Sequence, residues 1–221
     1  MDFYSFVEGP LLWIAVLTFI IGSIIKAAML FFVSRKTDPI IYKHFRWKYV
    51  LATYGRWLLP LNKTVAKNPI FIPLVYIFHI CLIVVPIWLS GHITLWEESR
   101  FEWSWTPIPE GLADWMTLAF LAIAIFFLLR RVISPEIRLI STFSDYFLLV
   151  VTALPFMTGY FVTHGTLDGI GFLRDNMQLI HMLSGELMLI LMPFTRLSHY
   201  LLFFFSRAAT GIEFGRRGYS V

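Results

Sequence analysis

The sequence predicts an all-α integral membrane protein with five transmembrane helices, its N-terminus outside and its C-terminus cytoplasmic. Three observations carry this. The 221 residues are 58% hydrophobic and only 14% charged, against roughly a quarter charged in a soluble domain, and the mean hydropathy is +0.72. Five apolar runs reach the ~20 residues that a helix needs to cross the hydrocarbon core. The cations are confined almost wholly to alternate connections between those runs.

The predicted spans are 10–33, 70–95, 114–133, 144–164 and 177–205, within a single membrane domain over 1–221. The first is too long for a signal-peptide core and has no basic residue ahead of it. The second and fifth are long enough to tilt or project. The loop 34–69 carries Arg35, Lys36, Lys43, Arg46, Lys48, Arg56, Lys63 and Lys67. Arg130, Arg131 and Arg138 follow the third span, and Arg207, Arg216 and Arg217 lie in the tail. The opposite side has only Arg100 and Arg174, while Lys26 and Arg196 fall within spans. The positive-inside rule places the basic side in the cytoplasm. The pI of about 9.3 is then a matter of topology and not a nucleic-acid footprint.

Trp96, Trp103 and Trp105 in the outer loop 96–113 read as an interfacial belt. The loop 34–69 interleaves Trp47, Tyr49, Tyr54 and Trp57 with its cations. That pattern suits an amphipathic surface helix on lipid headgroups or a dock for a cytoplasmic partner. The single cysteine, Cys81, excludes an internal disulfide, and no C-x-x-C-H occurs for covalent heme attachment. No internal repeat or low-complexity stretch is visible.

Of six histidines, His79, His92, His164, His181 and His199 lie in or at the ends of spans, where ionisable groups are costly and mark function. His44 lies in the basic loop. His181 and His199 are spaced to face one direction on the fifth span, about 27 Å apart along an ideal helix. His79 and His92 share the second span at about 20 Å, with Pro86 between them able to alter their register. The two helices run antiparallel. His79 therefore pairs by depth with His199, and His92 with His181. Two antiparallel helices with histidines at two depths can hold two hemes, each iron taking one imidazole from each helix. This gives a di-heme core. Zinc would want three or four ligands at one depth. Hydrogen bonding between helices is the alternative use of these histidines.

Arg196, three residues before His199, is placed to bind an anionic propionate or to snorkel, and Lys26 suits snorkelling. Glu186, within the fifth span, reads as a proton relay or as a partner to Lys26 or a histidine. His164, at the outer end of the fourth span, is an alternative to His92 as ligand, a quinone contact, or an interfacial histidine. Gly22, Gly91, Gly159 and Gly185 suit close approach of a macrocycle or of helices.

The stretch from His181 through Gly185 to Pro193-Phe194-Thr195-Arg196-Leu197-Ser198-His199 resembles the last helix of the gamma subunit, a cytochrome b, of respiratory nitrate reductase. Phe78-His79 and Gly91-His92 resemble that family's second helix. The sequence departs from it in the wider spacing of His79 and His92 and in the longer first cytoplasmic loop. The closer resemblance is to a sister group, the cytochrome b subunits of transmembrane redox complexes in sulfate-reducing prokaryotes.

This resemblance implies two hemes b with His79, His92, His181 and His199 as axial ligands, in a membrane-anchoring subunit of a quinone-linked oxidoreductase complex. It implies electron transfer between a quinone (menaquinone) pool or a periplasmic multiheme cytochrome c and a cytoplasmic iron–sulfur subunit. A quinone site is expected at the outer heme, where His92, His164, Glu97 and Arg100 would gather. Partners are membrane lipid and other redox subunits, with no nucleic acid. The alternatives are a nitrate reductase gamma subunit proper and a small transporter or assembly protein with polar histidines.

Overall fold

A computed structural model describes residues 2–59, 65 and 67–219, and among them the chain is helical with no strand. Lys63, one of the loop cations, lies outside the described residues. The chain divides into two compact units, Met1–Pro69 with Glu186–Val221, and Ile70–Gly185.

The first unit opens with α1, Phe3–Thr37, long and apolar enough to cross a bilayer. Asp2 caps it by accepting from the Ser5 amide at 2.8 Å. A π-helical stretch at Val7–Leu11 accommodates Pro10, whose missing N–H disrupts an α-helical ladder. The short α2, Pro39–Lys43, and the amphipathic α3, Trp47–Leu58, follow. The amphipathic helix expected in the basic loop is α3.

The last helix of this unit is α10, His199–Arg216, preceded by a 3-10 turn at Arg196–Ser198. Helix α3 packs on α10 through small residues. A Cβ on Gly211 would meet the Tyr49 carbonyl oxygen at 2.8 Å, and one on Gly215 would strike the Tyr49 ring. The Tyr54 hydroxyl donates to the Phe204 carbonyl at 2.9 Å, and the Arg207 guanidinium lies 3.8 Å over the Trp57 ring. Gly22 on α1 receives Pro193, to which an added Cβ would come within 2.8 Å.

The second unit contains α4 (Phe71–Trp88), α5 (Ser90–Glu97), α6 (Glu110–Ile133), α7 (Pro135–Ile140) and α8 (Phe143–His164). It also contains most of α9, Gly171–Leu191. Helices α4, α6 and α8 are each long and apolar enough to span a membrane. They share a core in which Phe120 stacks on Phe78 at 4.4 Å and on Phe156 at 3.9 Å. In lipid, apolar burial gives no hydrophobic drive, so such contacts hold helices together by close packing. Each aromatic pair contributes about 0.5–1.5 kcal/mol.

Termini in this unit are set locally. Helix α6 ends at Ile133, before Ser134-Pro135, because the residue ahead of proline avoids helical ψ. The Thr142 amide donates to the Asp145 carboxylate at 2.8 Å to start α8. Gly165, at φ +57°, ends α8 in the left-handed region that favours glycine.

Two expected spans differ from single helices. The second breaks at Leu89, which is extended with ψ 132°, so His79 stands on α4 and His92 on α5. The fifth breaks between Leu191 and Arg196 around Pro193, with a bend of 67°. His181 and His199 therefore do not share one straight helix, and their spacing as five turns of a single helix does not apply. In both places proline removes an amide donor from the ladder. Among the described residues, four helices could thus span a membrane, or five with the bent pair taken as one span.

Candidate cofactor-binding site

The break at Leu89 builds the site. A helix end leaves its last carbonyls without amide partners, and three of these acquire new donors here. The His92 Nδ1–H donates to the Pro86 carbonyl at 2.9 Å. The Trp105 indole N–H donates to that of Ile87 at 3.0 Å, and the Ile108 amide to that of Trp88 at 3.0 Å. The belt residue Trp105 thus also closes a helix end. His92 is oriented by the broken end of α4, with its Nε2 left for another partner.

His181, on α9, lies opposite. The two imidazole rings are parallel to within 4°, with centroids 6.0 Å apart. The Thr158 hydroxyl donates to the Leu154 carbonyl at 2.8 Å and lies 3.2 Å from His181 Nδ1, so it accepts that ring's N–H. Gly159 lets the ring lie against α8: a Cβ there would stand 2.9 Å from His181 Cε1.

Two imidazoles whose Nδ1 atoms are engaged within the protein have Nε2 donors that could hold a metal cofactor. Fixing Nδ1 by a carbonyl or hydroxyl is how metal-ligating histidines are oriented. Among the described residues no three His, Cys, Asp or Glu side chains cluster as a metal site; the donor set at this place is two imidazoles.

The other predicted residues are placed as follows. His79, part-buried on α4, donates from Nδ1 to the Val75 carbonyl at 2.7 Å. His199, the first residue of α10, donates from Nδ1 to the Arg196 carbonyl at 3.0 Å; it and the exposed Arg196 belong to the first unit. All four candidate ligands therefore have Nδ1 engaged.

His164 stacks on Tyr160 at 4.1 Å, and its Nε2 is 3.3 Å from the Asp114 carboxylate. Glu97 accepts from the Ser104 hydroxyl at 3.3 Å, and Arg100 is exposed in the turn after α5. The hydrogen bonds described here for His92, His164 and Glu97 do not join these residues to one another or to Arg100. His164 is tied instead to the first turns of α6.

Glu186 is 3% exposed, and neither carboxylate oxygen has a hydrogen-bond partner among the described residues. The expected pairing with Lys26 or a histidine is not observed. Lys26 lines an apolar groove of about 590 Å³ with Gly22, Pro193 and Phe194. Gly91 and Gly185 have open space where a Cβ would stand. Sequence reasoning missed Thr158. Its signal was a hydroxyl beside Gly159 in the middle of an apolar run.

The helices and their composition define a multi-pass helical membrane protein. A protein of Nitratidesulfovibrio vulgaris (strain Hildenborough) is 34% identical to this chain over 223 residues, covering 97% of this chain and 95% of the relative. The chain belongs to the same family as that relative, which bears only the name "Protein". No protein-family model matches the sequence, and no solved structure does.

Proposed function

We propose that this protein is the membrane-anchoring di-heme cytochrome b subunit of a respiratory redox complex. It carries electrons between a quinone pool, or a periplasmic cytochrome c, and a cytoplasmic iron–sulfur subunit. The observation that carries the reading is the parallel pair His92 and His181 at 6.0 Å. His92 and His181 would hold one heme b, and His79 and His199 the other. A heme between two imidazoles supplies reversible one-electron transfer. Thr158 and the Pro86 carbonyl fix the tautomers and orientations of the two histidines. Gly159 leaves room for the His181 ring. Arg196 would offer its guanidinium to a propionate. The confinement of cations to alternate connections supports an inner-membrane orientation with the basic side in the cytoplasm. The test is a reduced-minus-oxidised spectrum of the purified chain. Two b-type hemes per chain are expected, and a chain without b-type bands would sink the reading.

A second reading, a small transporter, draws on Glu186, a carboxyl buried in an apolar helix. Such a group suits proton uptake and release. Proton-coupled flux in proteoliposomes that is abolished by Glu186→Gln, from a chain without heme, would favour it.

A further inference from the structure

The groove that holds Lys26 runs along α1. It is lined from Ile14 to Met29 on that helix and by Pro193 and Phe194 from the other side. The fifteen steps from Ile14 to Met29 rise about 22 Å. Spread over that length, about 590 Å³ is a cross-section of about 26 Å², against ~80 Å² for a helix with its side chains. The groove is therefore the width of one extended hydrocarbon chain and too narrow for a partner helix. Ile21 and Ile25 on its floor are 52% and 54% exposed, so a ligand reaches it from the lipid.

Its polar end is built from three residues. Gly22 and Lys26 are four apart, so they lie one turn apart on the same face of α1. At Gly22 the bend of the fifth span closes in: an added Cβ would come within 2.8 Å of Pro193 and 3.5 Å of the Phe194 ring. That ring stands beside the groove and is 67% exposed. An aromatic face with an ammonium donor about one turn away fits a flat ring that carries an acceptor oxygen. Depth narrows the choice. Lys26 lies nine residues before Arg35, about 13 Å along the axis. A four-carbon stem covers about half of that distance, so the ammonium stays below the level at which the basic end of α1 meets lipid headgroups. A cation held inside hydrocarbon is costly and marks function, and its acceptor must itself enter the hydrocarbon.

We propose that this groove binds a prenylated quinone, its tail along α1 and its ring between Phe194 and Lys26, where the ammonium donates to a quinone carbonyl. A diacyl phospholipid would bring two tails to a groove one chain wide, and its phosphate would sit at the wrong depth. A membrane quinone has one tail and a neutral head whose acceptor oxygens enter the hydrocarbon. The inference rests on the quinone pool and the orientation in the proposed function, and it names where on this chain the quinone is held.

The experiment uses the full chain in nanodiscs of phosphatidylcholine. Heptyl-hydroxyquinoline N-oxide, a fluorescent quinone analogue with one alkyl tail, is titrated in and its fluorescence change is read against empty discs, with a short-chain menaquinone as competitor. Lys26→Leu should weaken binding at least about tenfold, equivalent to ~1.4 kcal/mol. Lys26→Arg, which keeps a donor, should stay within about threefold of the unsubstituted chain. Leu17→Trp fills the groove without changing charge and should weaken binding as Lys26→Leu does. Lys36→Gln, at the exposed end of α1, removes the same charge elsewhere and should leave binding within about twofold. Affinity unchanged by Lys26→Leu, or lowered as much by Lys36→Gln, overturns the proposal. So does displacement of the analogue by phosphatidylglycerol in the disc, which would make a phospholipid the occupant. Circular dichroism confirms that the variants are folded. Heme absorbance of the same samples tests the cytochrome reading separately, so binding of the analogue can fail with heme intact and the reverse.

Discussion

The imidazoles of His92 and His181 face each other in parallel, 6.0 Å between centroids, although one sits on a short helix after a break and the other in the middle of a span. Each ring is held from behind, His92 by the Pro86 carbonyl and His181 by Thr158. Hydrogen bonds within the protein therefore set the orientation of both rings.

Alanine at His92 or at His181 should remove the same single heme and leave the other. His79→Ala and His199→Ala should each remove the second. Pyridine hemochrome assay of heme per chain checks this, with a fall from two to one expected in all four variants. Loss of different hemes from His92→Ala and His181→Ala would break the pairing.

Thr158→Val keeps shape and removes the acceptor for His181 Nδ1–H. Loss of such an orienting partner typically lowers metal affinity by about 10–100-fold. Titrating heme into the apo-protein should show weaker binding at one site only. Thr158→Ser, which keeps the hydroxyl, should restore it.

Gly159→Ala places a methyl 2.9 Å from His181 Cε1, so the ring must move. Overpacking of this kind costs about 1–3 kcal/mol. Unfolding in detergent should register it, and the midpoint potential of one heme should shift while the other stays.

Trp105→Phe deletes the donor to the Ile87 carbonyl at the end of α4. An orphaned carbonyl costs about 1–3 kcal/mol. Faster amide exchange is expected at residues 87–92, and an exchange pattern like that of the unsubstituted chain would show that the loop does not secure this break.

Gly211→Val should separate α3 from α10, because the added side chain meets the Tyr49 backbone carbonyl, which cannot yield as a flexible side chain can. Limited proteolysis between residues 43 and 59 reads the effect, with cleavage expected to be faster than in the unsubstituted chain.

Much of the helical plan was legible in the chain itself. The runs that became α1, α4, α6 and α8 are apolar over a length set by the bilayer, a property of composition that needs no tertiary context. The amphipathic α3 was legible from aromatic residues interleaved with cations. Pro86 marked where the second span would be disturbed, since a proline always removes a donor. His92 and His181 were legible as a pair because the depth of a residue in a span follows from counting along it.

What the sequence could not decide was how each disturbance resolves. Pro86 alone permits a kink or a break. A break became possible because the distant Trp105 and Ile108 satisfy the carbonyls it exposes. The part of Thr158 and the closeness of Gly159 to His181 likewise arise only when α8 and α9 pack together. The approach of His164 Nε2 to Asp114 arises only when α8 and α6 pack together. By itself the sequence determined which segments are apolar enough for a membrane and which connections are basic, and it singled out His92 and His181 as a candidate pair. Tertiary structure decided where the long helices break and that the His92 and His181 rings face each other. Hydropathy is a sum over local residues, whereas the partner of a freed carbonyl or an imidazole N–H depends on which distant segment folds against it.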